Sequence, residues 1–257
     1  MTDSVSDSGE NSANQALQDV PIFSRLRDAD LDHIAALLIP RRVSKNQVIL
    51  LRGDQVTSLY LIGAGAVKLV ATSEDGREVI LATRTEGDFF GELSLFDDHP
   101  FEATVIATDD VELLVLRRED FHRCLDQWPD IAIGLLRTLC GRLRAAEIRI
   151  SALALLDVPQ RVAHVLIGLA DENDGTVITQ PVTHRFLAQL VGTSRESVSR
   201  IMGQLSSQEI INVGKESAAV PDRRHAGESG TAASVDVKRR VIRIVDRRRL
   251  ELAAGRV

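Results

Sequence analysis

Cysteine is almost missing from this sequence: Cys124 and Cys140 are its only two among 257 residues. That excludes a disulfide-stapled scaffold, and it excludes a four-thiolate zinc or iron–sulfur site within one chain. Aromatic residues make up 4% of the chain, too few for the stacking platforms that hold single-stranded nucleic acid. No apolar run approaches the ~18 residues needed to span a bilayer. Residues 1–19, rich in Ser, Asp and Asn, lack the apolar centre of a secretory signal. Positive charge is also short. The 31 Lys and Arg against 37 Asp and Glu leave −6, which argues against a uniformly basic binder of nucleic acid or membrane. Gly-rich phosphate loops, Gly-x-Ser-x-Gly elbows and metal-spaced His/Glu pairs are all missing, so nothing points to an enzyme or a metal site. These absences predict a cytoplasmic protein that makes no use of membranes.

What is present is a two-domain composition: 257 residues, 44% hydrophobic and 26% charged. Residues 1–20 offer little to a core and are expected to be disordered. A sensor domain is expected over 21–128. It opens with a helical pattern at Leu31, Ile34, Leu37 and Leu38 behind Asp28 and Asp30. Short apolar runs then recur at Val48–Leu51, Leu59–Ile62, Ala66–Val70, Val79–Ala82, Thr104–Ala107 and Val111–Leu116. Gly53-Asp54, Gly63, Gly65, Asp75-Gly76, Gly87-Asp88 and Asp97-Asp98 punctuate them. This spacing predicts an antiparallel β-roll, sandwich or barrel. Gly53-Asp54 reads as a β-turn, not as part of an Arg-Gly-Asp adhesion signal.

A long helix is expected over 129–156. Leu136, Leu139, Leu143, Ala146, Ile150 and Leu153 recur at spacings of three and four, the seam of two zipped helices. Arg142, Arg144, Glu147 and Arg149 flank that stripe; a single helix lying on its own domain is the alternative. Residues 157–257 read as a winged helix-turn-helix: helix, turn, helix over Thr183–Leu205, then strands at Ile210–Val213 and Val241–Val245. The polar stretch of about 215–238 between them reads as a flexible wing insertion.

Within the helix-turn-helix, Phe186, Leu187 and Leu190 pack the first helix, and Gly192 permits the turn. Thr193 or Ser194 can cap the second helix. Its inner face is Val198, Ile201, Met202 and Leu205, and its outer face is Arg195, Glu196, Ser199 and Arg200. Arginine donates two bonds to the O6/N7 edge of guanine, and glutamate accepts from cytosine N4. A helix with both near its N-terminus suits the major groove. A solvated surface holding an i,i+4 Glu–Arg pair is the plainer alternative. Thr183, Ser194, Ser197 and Lys215 are candidate phosphate contacts.

Three segments in order carry a resemblance. Gly87-Asp88-Phe89-Phe90-Gly91-Glu92-Leu93-Ser94-Leu95-Phe96, Leu153-Ala154-Leu155-Leu156-Asp157-Val158 and Leu190–Arg200 are similar to the ligand-pocket, hinge and recognition-helix signatures of the CRP/FNR family of bacterial transcription regulators. The resemblance implies an α+β protein with an N-terminal cyclic-nucleotide-binding-like β-roll, a dimerisation helix and a C-terminal winged helix. It further implies a homodimer bound to double-stranded DNA at a palindromic, TGTGA-like operator, bending that DNA, with RNA polymerase as a further partner. Arg195, Glu196 and Arg200 fall on the family's base-reading positions; activation and repression both stay open.

The resemblance also locates an effector pocket at Gly91, Glu92, Leu93, Phe101, Glu102, Ala103, Ala146 and Glu147. Members that bind cyclic AMP hold its ribose with a Gly-Glu pair, matched by Gly91 and Glu92. They hold its phosphate with an Arg-Ser pair, which falls here on Phe101 and Glu102. The guanidinium is missing and a carboxylate stands in for the hydroxyl, which argues against cyclic AMP. The adenine-facing Thr-Ser falls on Ala146 and Glu147. No cofactor is therefore expected. Another nucleotide effector stays open, including a cyclic dinucleotide using Glu102 or Arg84, beside ligand-independent DNA binding. Haem would need His33, His99 or His122, which qualify by residue type alone and read as surface residues. Cys124 and Cys140 read as buried structural thiols, with a redox pair as the alternative.

Divided at the hinge, the charge is uneven. Residues 159–257 carry 15 basic and 11 acidic side chains, net +4, and residues 1–158 carry 16 and 26, net −10. The C-terminal part is thus the end expected to approach DNA.

Overall fold

The computed structural model describes residues 17–172, 174–179, 182–221 and 234–255, with backbone alone at 215–221 and 234–240. The described residues divide into two compact units between Ile148 and Arg149, inside the long helix.

The first unit holds helix α1 (Asp28–Ala35) and strands β1 (Ile39–Val43), β2 (Val48–Leu50), β3 (Ser58–Ala64), β4 (Ala66–Thr72), β5 (Glu78–Thr85), β6 (Phe89–Phe90), β7 (Thr104–Ala107) and β8 (Val111–Arg117). They form two four-stranded antiparallel sheets, ordered β1-β8-β3-β6 and β2-β7-β4-β5. Alternation along the strands splits the apolar side chains between two cores. Ile62, Val67, Phe90, Val105 and Leu113 fill one drawn from both sheets. Leu59, Leu61, Phe89 and Leu116 pack instead with residues of the helices. Phe89 and Phe90 are neighbours on the chain yet belong to opposite cores.

The anticipated runs all became strands: Val48–Leu51 is one residue shorter, Thr104–Ala107 is unchanged, and the others extend by up to three residues at an end. Ile39–Val43 is an additional strand that periodicity could not flag. Four of its five residues are exposed and it pairs only with β8, so it is a polar edge where Pro40 is tolerated. Disorder up to residue 20 needs correction. Leu17 and Val20 are fully buried beside Ile22 and Phe23, because the few apolar residues there meet α1 and the long helix's core. Residues 1–16 lie outside the described residues.

Two further helices follow: α2 (Ser94–Asp97) and α3 (Arg118–Gln127). Then comes α4 (Pro129–Leu155), one residue short of the expected 129–156. Cys124 is buried in α3 whereas Cys140 is exposed on α4, which corrects the reading of two buried thiols; neither is disulfide-bonded. Burial, with Asp120 nearby, pushes the Cys124 thiol up to about 11. At pH 8 only about one thiol in a thousand would then be thiolate, the reactive form. Native protein treated with iodoacetamide at that pH is expected to stay unmodified at Cys124, and denatured protein to react there, as peptide mass mapping will show.

The second unit begins within α4 and continues through α5 (Val158–Asp171), β9 (Val177–Ile178), α6 (His184–Val191), α7 (Arg195–Ser207), β10 (Ile211–Pro221), β11 (Ser234–Ile244) and α8 (Arg247–Ala253). The predicted break at Asp157-Val158-Pro159 is a capping box. The Gln160 amide donates to Asp157 Oδ1 (2.8 Å), and the Asp157 amide donates to Gln160 Oε1 (2.9 Å). Val162, Leu166, Leu187, Val198, Ile201, Ile242 and Leu250 share one core. The sheet order is β10-β11-β9, all antiparallel. The wing strands are longer than expected. Ile211–Pro221 pairs with Ser234–Ile244, so the flanks of the expected insertion are paired backbone rather than flexible loop. Residues 222–233 of that insertion lie outside the described residues. No helix among the described residues is long and apolar enough to cross a membrane.

Candidate nucleic-acid interface and sensor pocket

The helix-turn-helix is built by two caps and one turn. Thr183 Oγ1 accepts from the Phe186 amide (3.1 Å) and starts α6. Gly192 ends α6 with φ +71°, a left-handed conformation that the turn needs and that glycine adopts without steric cost. Half-buried Thr193 stays in that turn, its amide on the Ala188 carbonyl (3.0 Å). Ser194 Oγ accepts from the Ser197 amide (3.2 Å) and donates to Ser197 Oγ (3.0 Å), starting α7. Thr183, Ser194 and Ser197 therefore already hold structural hydrogen bonds, which any phosphate contact would share.

Buried Val198, Ile201, Met202 and Leu205 fix the rotation of α7. Arg195, Glu196, Ser199 and Arg200 are left on the outside, lining one hollow of about 450 Å³. Glu196 and Arg200 do not form the i,i+4 pair that the plainer reading supposed. Neither they nor Arg195 has a side-chain partner among the described residues. Two guanidiniums and a carboxylate thus stand in solvent on the first two turns of a helix. Lys215 lies on β10, its backbone in register with Arg240, and its side chain is outside the described residues.

The sensor pocket differs from what the motif suggests. Gly91, with φ +92°, is packed so tightly that a Cβ there would lie 2.8 Å from the Ser58 carbonyl oxygen. Glu92 is 5% exposed and is engaged within the chain: Arg142 Nη1 donates to its Oε1 at 2.8 Å. Arg142 also donates to the Phe89 carbonyl (2.8 Å), reaches Asp88 at 3.5 Å, and lies 4.3 Å over the Phe89 ring. Arg142 was expected beside the dimer seam. It lies instead on the inward stripe of α4, three residues past Leu139 and in line with buried Ile131 and Leu135. That i, i+4, i+8, i+11 spacing was the available signal. Arg149, also read as flanking the seam, is half-buried and donates to the Leu190 carbonyl (2.9 Å).

Among the other pocket candidates, Phe101 is half-buried against the inter-sheet core and Ala103 is buried. Leu93, Glu102, Ala146 and Glu147 are exposed. The structure therefore gives Glu92 to Arg142, while Gly91 packs against Ser58, Tyr60 and Val56. The ring nitrogens of His33, His99 and His122 lie on the carbonyls of Ala29, Asp97 and Leu95. No group of three metal-binding side chains occurs among the described residues. Along the seam, Leu136, Leu143 and Ile150 are 62%, 61% and 65% exposed. Leu153 and Ala146 are exposed too, whereas Leu139 packs against the chain's own core.

Comparison with known proteins matches both units. Residues 40–127 match the cyclic nucleotide-binding domain family, and residues 160–225 match the Crp-like helix-turn-helix domain. The chain is 34% identical over 194 residues to the cyclic AMP receptor protein of Thermus thermophilus, covering 76% of this chain and 89% of that one. It is 30% identical over 206 residues to the CRP-like cAMP-activated global transcriptional regulator of Mycobacterium tuberculosis, covering 78% and 92%. Among solved structures, the c-di-GMP responsive regulator CLP of Xanthomonas campestris superposes with a TM-score of 0.66 at 26% identity, over 72% of this chain and 95% of that one.

Proposed function

The chain belongs to the CRP/FNR family of transcription regulators, and we propose that it acts as a homodimer on a palindromic, TGTGA-like operator. The observation that carries this reading is the outer face of α7, where Arg195, Glu196 and Arg200 stand exposed and unpartnered beside a helix N-terminus. Arg195 and Arg200 would read guanine edges, Glu196 a cytosine amino group, with Ser199 between them. Thr183, Thr193, Ser194, Ser197 and Lys215 would position the backbone. In a two-fold dimer the recognition helices fall about 34 Å apart, one turn of DNA. RNA polymerase would be the further partner, in the cytoplasm.

The test is a gel-shift series on a TGTGA palindrome and a scrambled duplex. Arg195→Ala is expected to weaken the palindrome about 5- to 150-fold, the loss of one bidentate base contact, and to leave the scrambled duplex nearly unchanged. Lys215→Ala is expected to weaken both alike. Equal loss on both duplexes for Arg195→Ala contradicts base reading, and a wild type that never prefers the palindrome at low salt overturns the function.

Two relatives are described as responding to cyclic AMP and one as responding to c-di-GMP. We propose that this chain works either without a ligand or with an effector other than cyclic AMP. Support comes from Glu92, whose oxygen is held by Arg142, and from Phe101 and Glu102, which supply no cation for a phosphate.

A further inference from the structure

One cation in the first unit is out of keeping with its surroundings. Arg84 lies on β5, where Ile80, Ala82 and Arg84 alternate toward the interior and Leu81, Thr83 and Thr85 away from it. Its cross-strand partner is Val67, which is fully buried. An inward position opposite a buried valine is ordinarily apolar, and arginine is rarely buried without a partner. Arg84 Nη1 donates to the Thr83 carbonyl at 2.9 Å, but Nε is buried with no acceptor among the described residues.

The neighbouring charges do not supply one. Burial holds the Arg84 guanidinium below its ordinary value, and repulsion from Arg142 adds to it. Glu92 and Asp88 attract it, yet Glu92 is committed to Arg142 and Asp88 is shared between Arg142 and the Thr85 amide (3.3 Å). What remains is a guanidinium with an unused Nε beside a second guanidinium. Such an edge binds two oxygens of one oxyanion side-on.

We propose that Arg84 is the docking point for the phosphoryl group of a small effector, supplying from β5 the guanidinium that Phe101 and Glu102 do not. This rests on the effector branch of the function above. The anion would satisfy the Arg84 Nε and offset the repulsion from Arg142. Since Arg142 holds α4 to the Glu92 segment, a phosphoryl group beside it also has a route to the long helix.

The experiment is thermal-shift titration of the full chain with sodium phosphate, cyclic AMP or cyclic di-GMP. Sodium acetate serves as a carboxylate control, and sodium chloride holds ionic strength constant. Saturable stabilisation by at least one phosphoryl probe is expected, with the midpoint raised about tenfold or more in Arg84→Leu. Arg84→Lys, which keeps charge but not the fork, should fall between. Arg84→Leu removes a buried charge, so its melting temperature should match or exceed the wild type, which checks that it folds. Identical titrations for Arg84→Leu and wild type overturn the proposal. So does the absence of saturable binding by every phosphoryl probe at about 20 mM, or an equal response to acetate. Palindrome binding by the same preparations separates the two readings: DNA binding without an Arg84-dependent anion effect overturns this inference alone.

Discussion

Replacing Arg142 with alanine is expected to cost the first unit about 3–5 kcal/mol, the penalty for stranding one member of a buried ion pair. Glu92, 5% exposed, would keep its carboxylate and lose the donor at 2.8 Å. The Phe89 carbonyl would lose its 2.8 Å donor, and the Phe89 ring would lose the cation above it. At about 2–4 °C per kcal/mol for a chain of this size, the melting transition of that unit should fall by about 10 °C. The pairing is separable from bulk by a double-mutant cycle. Glu92→Leu with Arg142→Leu should recover much of the loss, because a matched apolar pair leaves no stranded charge. Additive losses in the double variant would show that Arg142 acts through packing alone.

The second large effect concerns assembly. Leu143→Asp is expected to turn a dimer into a monomer, read by light scattering, and to lower palindrome affinity at least about a hundredfold. The lone chain leaves Leu136, Leu143 and Ile150 more than half exposed at heptad spacing, a stripe that a second copy of the same helix would cover. A carboxylate at its centre would be buried without a partner. Only one half-site could then be held at a time, so the two binding free energies no longer combine on one operator. Because residue 143 touches no core of its own chain, the monomer should keep its fold, checked by an unchanged circular dichroism spectrum. A Leu143→Asp protein that still binds as a dimer would remove the seam from the assembly.

Much of this architecture is written in local pattern. Strand after strand fell where short apolar runs recur between turn signals, and α4 and α7 fell where apolar residues recur at three and four. In α7 one face is buried, and burial imposes the helix period on the sequence; β3 and β8 feed two cores, so their apolar residues run together instead of alternating with polar ones. The same logic fixed the outer face of α7: once Val198, Ile201, Met202 and Leu205 pack inward, Arg195, Glu196 and Arg200 have no other direction. Gly192 and Ser194 were legible because a left-handed turn and a helix cap each demand particular residue types. Ile39–Val43 escaped because an exposed edge strand buries too little to leave a pattern. Leu17 and Val20 escaped because two apolar residues in a polar stretch look like noise until the core that receives them exists.

Local pattern was thus enough for most strands, the long helix and the outward face of α7, because each depends on residues within a few turns of one another, and three short motifs in order were enough for the family. Tertiary structure alone decided which charges meet. Glu92 and Arg142 are 50 residues apart, and only the folding of α4 onto the roll makes one the partner of the other. The same fold turned Arg84 inward opposite Val67 and left its Nε without an acceptor. Ion pairs and orphaned donors are properties of three-dimensional proximity and desolvation, and neither has a period that a sequence can display.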